Sequence, residues 1–472
     1  MTIKEMMEKT TVQQRVDEAL EIAKNSQEKL NAVVTFIDPS EQIKNLEGKE
    51  NGLLYGIPVA LKDNVCTKGI KTTASSRILE NYVPIYNAHI VDKLESAGAV
   101  MIAKASMDEL AMGGTNLTAA TGPVCNPYDL ERISGGSSGG SAALVACGAV
   151  PLAIGSDTGD SIRKPASFCN VVGMKPTYGR ISRYGIIPYA SSLDHVGYFT
   201  RSVEDAAIAL EVLAGRDDRD MTSSYREVPH YIDALSGDIQ GKKIAILKNV
   251  TNAIDNQETL TVFNQLMDEL KAKGAEVYEV ELNESLLKAM LPTYYLIANC
   301  EATANHSNLD GIRFGVQKDG ATAEEIMINS RTAGFGSLIR KRFVIGSYGL
   351  FVENQDRLFR QAQRVRRLIV EEVKKVLQDA DVLVAPASAN GAPRLDDQSA
   401  DQLTDTYLIA ENHMVLGNFT GYPSCTVPMG TTKGLPIGIN LTAKAFDEEN
   451  LLNICYAIEN ITGLKDVKKE VK

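Results

Sequence analysis

The sequence predicts an α/β fold built on a mixed, largely parallel sheet. Three observations carry that expectation. Short continuous apolar runs alternate with helical patterns, as in Gly56–Lys62, His89–Gly98 and Ala99–Ala103. A second such unit places Lys242–Leu247 and Ala275–Val280 on either side of a helix. A long charged helix, Arg357–Gln378, then precedes another apolar run, Val382–Ala385.

The elements can be justified in order. Thr11 and Gln14 have capping-box spacing, and Val12, Val16, Ala19, Leu20 and Ala23 follow at helical intervals. A polar loop at Glu47–Asn51 separates this helix from Ile57–Leu61, a run of the kind buried on both sheet faces, which ends on Lys62. Glycine closes the helix at Gly98 before the next strand. Residues 134–183 are rich in glycine and serine, but the glycines bracket the apolar segments Ala142–Cys147 and Val150–Ile154. That is the pattern of an ordered loop, helix, strand and loop, not of a linker. No internal repeat or linker composition divides the chain.

Composition narrows the function. The 472 residues are 44% hydrophobic and 23% charged, enough for a large core and wrong for a disordered chain. A formal charge of −11 disfavours a broad grip on phosphate backbones. Seven scattered cysteines without C-x-x-C spacing suggest neither a disulfide framework nor a zinc site. The amino terminus lacks the basic-then-apolar pattern of a signal peptide, and Ala142–Gly155 is too short to span a bilayer. The expectation is a reduced, cytoplasmic protein without a bound metal.

Histidine is scarce, and His89, His195, His230, His306 and His413 show no metal-ligand spacing. Gly135-Gly-Ser137-Ser-Gly139 matches the nucleophile elbow of serine hydrolases, yet polar turn residues precede it where an elbow needs a strand. Ser161 is better placed. It sits in the tight loop Ser156–Pro165 after the apolar strand Val150–Gly155, where small residues let successive N–H groups converge. A serine needs a base, and Lys62 is the candidate. Desolvation down to neutrality would shift a lysine by roughly three pH units, or about 4 kcal/mol. The alternative is a strand-end lysine reaching solvent.

These residues resemble the amidase signature family over most of the chain. Gly135-Gly-Ser-Ser-Gly-Gly-Ser141, Gly155-Ser-Asp-Thr-Gly-Asp-Ser-Ile-Arg163, Gly173-Met-Lys-Pro-Thr-Tyr-Gly179 and Gly56–Asp63 carry the likeness. Ser137 and Lys62 stand 24 and 99 residues before Ser161, as in that family. The resemblance implies a single large domain over residues 1–472, with a mixed, mostly parallel sheet covered by helices on both faces. Within it, 1–50 would be a helical start, 51–235 the catalytic core, and 236–472 the rest of the sheet with a helical pocket region. It also implies a Ser-cis-Ser-Lys triad: Ser161 attacks, Ser137 relays the proton, and Lys62 is the base. Thr158, Gly159, Asp160 and Ser161 would supply oxyanion N–H groups. Asp157 and Arg163 would brace the loop, the alternative for them being a surface ion pair.

Within the family, Met107–Gly114, Asn308–Gly315, Lys175–Gly185 and Gln363–Arg366 are similar to the A-subunit branch of the tRNA-dependent amidotransferases. That likeness implies a glutaminase subunit that works with B and C partners. Ammonia would pass to a partner that uses ATP and Mg on Glu-tRNA(Gln) or Asp-tRNA(Asn), with no cofactor in this chain and tRNA reached only through the partner. Arg366 would hold the glutamine carboxylate, Glu411 its amino group, and Tyr294 would complete the pocket. For Arg366 a solvated helix face, and for Tyr294 core packing, are the alternatives. Three departures stand out: Asp160 replaces the family glycine before the nucleophile, Glu411 replaces Asp, and Thr115-Asn-Leu-Thr118 differs from the usual segment. A carboxylate at 160 would oppose an oxyanion. The rival expectations are therefore a free-standing amidase on another small amide, and a catalytically weakened subunit.

Overall fold

The computed structural model of the chain describes residues 1–397 and 403–471. Among the described residues thirteen strands form in chain order: β1 (Val33–Phe36), β2 (Pro58–Lys62), β3 (Val100–Ala105), β4 (Cys125–Asn126), β5 (Asp129–Ile133), β6 (Leu152–Asp157) and β7 (Val172–Lys175), then β8 (His195–Thr200), β9 (Lys243–Leu247), β10 (Glu276–Val280), β11 (Val382–Pro386), β12 (Ser424–Thr432) and β13 (Leu435–Ala443). Eleven make one sheet in the order β1-β3-β2-β6-β8-β7-β12-β13-β11-β9-β10, while β4 and β5 pair separately.

Parallel pairing is gathered in two blocks, β3-β2-β6 and β11-β9-β10. The strands between them, from β6 through β8, β7, β12 and β13 to β11, pair antiparallel, as does β1 on β3. The sheet is mixed, as expected; its parallel character holds within the two blocks and gives way in the middle. One cause is the β12–β13 hairpin. Its two-residue turn, Lys433-Gly434, has both φ angles positive (49° and 77°), which twists the chain straight back on itself.

The elements that place the site follow from their residues. The capping box forms as expected, with Thr11 accepting from the Gln14 N–H and Gln14 from the Thr11 N–H, and it starts the helix Val12–Leu30. Arg15 on that helix is buried and donates to the carbonyls of Tyr55 and Gly56, tying the helix to the entrance of β2. Every residue of β2, β3 and β6 is buried. Val59 and Leu61 pack with Ile154 and Tyr198 on one face, whereas Ala60 packs with Ala103, Ala153 and Phe199 on the other. Strand alternation then puts Lys62 on the Ala60 face, beneath the helix Gly139–Ala146.

The Gly/Ser-rich region contains the expected helix and β6, followed by an unanticipated short helix, Arg163–Phe168, and β7. The charged segment expected over 357–378 is a helix over Gln361–Asp379, preceded by a π-helical turn at Asp356–Arg360. Its buried stripe is Ala362, Ile369, Val373 and Leu377. No helix among the described residues is long and apolar enough to cross a membrane.

Candidate active site

The site forms where β2 and β6, running parallel, both end. There β2 delivers Lys62, and β6 delivers Asp157 and the loop to Ser161. Open α/β sheets bind ligands beyond the carboxyl ends of such strands. Lys62 is fully buried. Its Nζ donates to Ser137 Oγ at 2.8 Å, Ser138 Oγ at 2.7 Å and the Ser156 carbonyl at 3.2 Å. The strand-end lysine therefore points inward. Burial lowers its pKa to about 7, against the opposing pull of Asp108, Asp157 and Asp194.

Ser137 follows a cis peptide bond from Gly136 and is fully buried. The β5 strand before it lies outside the main sheet, so the nucleophile-elbow context is missing. The loop is anchored by the Ser138 N–H donating to the Ser161 carbonyl at 3.2 Å, which sets the two serine segments side by side. Ser138, which sequence reasoning passed over, also donates to the Ser156 carbonyl at 3.0 Å and is the second hydroxyl on Lys62.

Asp108 holds the other side of this loop. Its N–H donates to the Ser137 carbonyl at 3.1 Å. Its carboxylate accepts from the N–H groups of Thr115, Asn116 and Thr118 and from the Thr118 hydroxyl at 2.7 Å. A side chain at Gly136 would collide with that carboxylate. The divergent segment Thr115–Thr118 thus has a definite role, which is to close the donors around Asp108.

The loop Thr158–Ser161 leaves its backbone N–H groups without a hydrogen-bond acceptor among the described residues. Four successive open donors beside a serine are what an oxyanion requires. Asp157 and Arg163 lie beneath it, both fully buried, so the surface ion pair is ruled out. Arg163 grips Asp157 with Nη2 at 2.9 Å and Nε at 3.1 Å, and donates to the carbonyls of Gly159 and Met414. Burial alone would raise the Asp157 pKa, but Arg163 holds it well below the usual carboxylate range. Asn418, from the far part of the chain, completes the brace by donating to Asp157 Oδ1 at 2.9 Å while accepting from Arg163 at 2.6 Å. Thr158 is fixed separately, its hydroxyl donating to buried Asp194 at 2.7 Å. A cavity of ≈ 300 Å³ lies behind this wall, lined by Asn64, Ser156 and Asp194 among others.

The expected substrate residues are distributed differently. Tyr294 stands over the loop, and a methyl group on Gly159 would meet its hydroxyl at 3.0 Å. Arg366 donates to the Phe419 carbonyl and to the carbonyl and hydroxyl of Ser192, using Nε, Nη1 and Nη2. Those bonds staple its helix to the short helix Val415–Thr420 and to the turn at Ser192. Glu411 is engaged too: its carboxylate accepts from Lys164 Nζ and from the Ala389 N–H, each at 2.8 Å. Arg342, which sequence reasoning missed, packs over the rings of Tyr189 and Tyr295 and donates to the Tyr189 hydroxyl at 2.7 Å. It makes no other hydrogen bond among the described residues, so most of its fork is open. Its only signal in the sequence was the Arg340-Lys-Arg342 cluster on an otherwise apolar helix. Among the described residues no group of three or more His, Cys, Asp or Glu could hold a metal ion.

Comparison with known proteins shows the family of the chain. The glutamyl-tRNA(Gln) amidotransferase A subunit of Geobacillus sp. (strain WCH70) is 40% identical over 462 residues, 96% of this chain and 94% of that protein. The Lactiplantibacillus plantarum protein of the same description is 43% identical over 413 residues, 87% and 84% of the two chains. The crystal structure of that subunit from Thermotoga maritima superposes with a TM-score of 0.83 at 34% identity, covering 100% of this chain and 98% of that one. The peptide amidase from Stenotrophomonas maltophilia gives a TM-score of 0.83 at 28% identity, covering 98% and 96%. The family model described as Amidase matches residues 14–452, and the chain belongs to the amidase signature family of enzymes.

Proposed function

We propose that this chain is the cytoplasmic glutaminase subunit of a tRNA-dependent amidotransferase, its 472 residues acting as one catalytic unit. The observation that carries the reading is the fully buried Lys62 amine 2.8 Å from Ser137 Oγ, with a pKa lowered to about 7. A neutral amine there can take the Ser137 proton while Ser137 takes that of Ser161. Ser161 Oγ bonds to the amide carbon, and the open N–H groups of Thr158 to Ser161 receive the oxyanion. As the C–N bond breaks, the proton held by Lys62 returns through Ser137 to the leaving nitrogen, so ammonia departs and a γ-glutamyl ester remains on Ser161. Water, activated by the same relay, cleaves that ester.

We place the glutamine carboxylate on Arg342, whose fork is open over Tyr295, in preference to Arg366, whose donors are occupied. The similarity to A subunits supports B and C partners, with ATP, Mg and misacylated tRNA handled by the partner. The test is ammonia release from glutamine by the chain co-purified with its B and C partners, alongside Ser161→Ala. Release that disappears in the variant is the expected result. A chain that ignores glutamine yet cleaves a simple aliphatic amide is a free-standing amidase, and the proposal falls.

A further inference from the structure

The charges around Ser161 do not all find partners within the protein. Asp157 is matched by Arg163, and Glu411 by Lys164. Asp108 and Asp194 are each closed by backbone N–H groups and a threonine hydroxyl. Two groups remain. Asp160 has no hydrogen bond to its carboxylate and no ion-pair partner within 4.0 Å among the described residues, although it is only partly exposed. Arg342 has one hydrogen bond, to a tyrosine hydroxyl. Both groups act electrostatically on Tyr294, the ring end that covers Gly159, and both act on Tyr407. Tyr294 also packs on Tyr295, with ring centroids 5.5 Å apart, and Arg342 lies over Tyr295, so the two tyrosines bridge one unmatched anion and one unmatched cation.

That pair is complementary to the zwitterionic end of an amino-acid amide. We infer that Asp160 holds the ammonium group of the amide substrate, a role from which Glu411 is withdrawn by Lys164. This inference rests on the glutaminase reading for the identity of the substrate. It also answers the objection raised by a carboxylate beside an oxyanion. Paired with a substrate ammonium, Asp160 presents no net charge to the reacting carbon, whereas an amide without a cation meets it bare. The residue thus discriminates among substrates instead of disabling the site. The charged and titratable groups facing it are Lys164, Arg163, Asp157, Glu411, Tyr294 and Tyr407. Burial raises its pKa to about 6, so the carboxylate is ionised at neutral pH and protonates in mild acid.

Binding to the full chain carrying Ser161→Ala, which cannot turn over, separates this idea from catalysis. Calorimetric affinities would be measured for L-glutamine, for 4-carbamoylbutanoate (which lacks the ammonium group) and for 4-aminobutanamide (which lacks the carboxylate). Adding Asp160→Asn, and separately Asp160→Gly, should weaken glutamine and 4-aminobutanamide by about tenfold to a hundredfold and change 4-carbamoylbutanoate by less than about twofold. Glu411→Gln should not reproduce that selectivity. Equal effects on all three ligands, or a selective loss in Glu411→Gln alone, would overturn the inference. If glutamine fails to bind while 4-aminobutanamide binds through Asp160, the glutamine assignment fails and the ammonium site stands. If neither amine senses Asp160 in folded variants, checked by circular dichroism, the ammonium site is wrong.

Discussion

Lys62→Met gives a sharp test of the electrostatics, because the structure fixes both the sign and the size of the effect. The Lys62 pKa falls from the ordinary value of 10.5 to about 7 on burial. At 1.36 kcal/mol per pH unit this is about 5 kcal/mol between the two protonation states. The folded pKa lies below the unfolded one, so between pH 7 and 10 the unfolded chain carries the extra proton and wild-type stability rises with pH. At pH 8 the mismatch costs the wild type about 3 kcal/mol. Methionine removes that cost but forfeits the bonds to Ser137, Ser138 and Ser156, at roughly 1 kcal/mol for each hydroxyl left without its partner. Lys62→Met should therefore be more stable than wild type by about 1 kcal/mol at pH 8, and by more at pH 7. The order should reverse near pH 9. Urea unfolding of both proteins at pH 7, 8, 9 and 10 measures the difference, expected to change by about 1.4 kcal/mol per pH unit. A difference that stays constant across this range would refute the depressed pKa and remove Lys62 as the base.

Two further substitutions probe the loop. Asp157→Asn leaves the buried Arg163 without its counter-charge and should cost about 3 to 5 kcal/mol, read as a lower urea midpoint. Because the folded-state pKa of Asp157 is depressed, its stabilisation is present above the ordinary carboxylate value and lost as pH falls through the folded one; the midpoints of wild type and Asp157→Asn should therefore converge in acid. Gly159→Ala would bring a methyl group to 3.0 Å from the Tyr294 ring and hydroxyl, forcing the tyrosine aside. The expected result is a KM for glutamine raised about tenfold, with stability changed by less than about 1 kcal/mol. An unchanged KM would show that Tyr294 does not bound the substrate pocket.

What could be read from sequence follows a physical division. Lys62 was legible as a candidate because a lone ammonium ends five apolar residues, although a strand end reaching solvent would read the same, and the Ser161 loop because glycine and small residues directly follow a buried strand. Both signals are local. The brace around them is not: Asn418 reaches Asp157 across 261 residues, and Glu411 meets Lys164 across 247. No periodicity or spacing announces such pairs. That non-locality also explains why Glu411 reads as a free acid in sequence and as an engaged one in the fold. Arg366 is singled out by likeness alone, since its helix is charged throughout and only its acceptors reveal what it holds. The β12–β13 hairpin differs again, because Lys433-Gly434 between a Thr- and Val-containing run and a Thr- and Ile-containing one carries a usable turn signal.

The two perturbed groups beside Ser161 also dictate how the site must respond to acid. Lys62 must be neutral to accept a proton, which requires a pH above about 7. Asp160 must be ionised to hold an ammonium group, which requires a pH above about 6. For glutamine, kcat/KM should fall tenfold per pH unit between these values and a hundredfold per unit below the lower one, since both groups are then protonated. An amide lacking the ammonium group needs only the lysine, and protonating Asp160 removes the bare charge opposing its oxyanion, so its profile never steepens beyond tenfold per unit. The lysine limb alone would look the same for any substrate. The change of slope, and its absence for the uncharged analogue, separates a carboxylate that recognises substrate from one that merely lies beside the nucleophile.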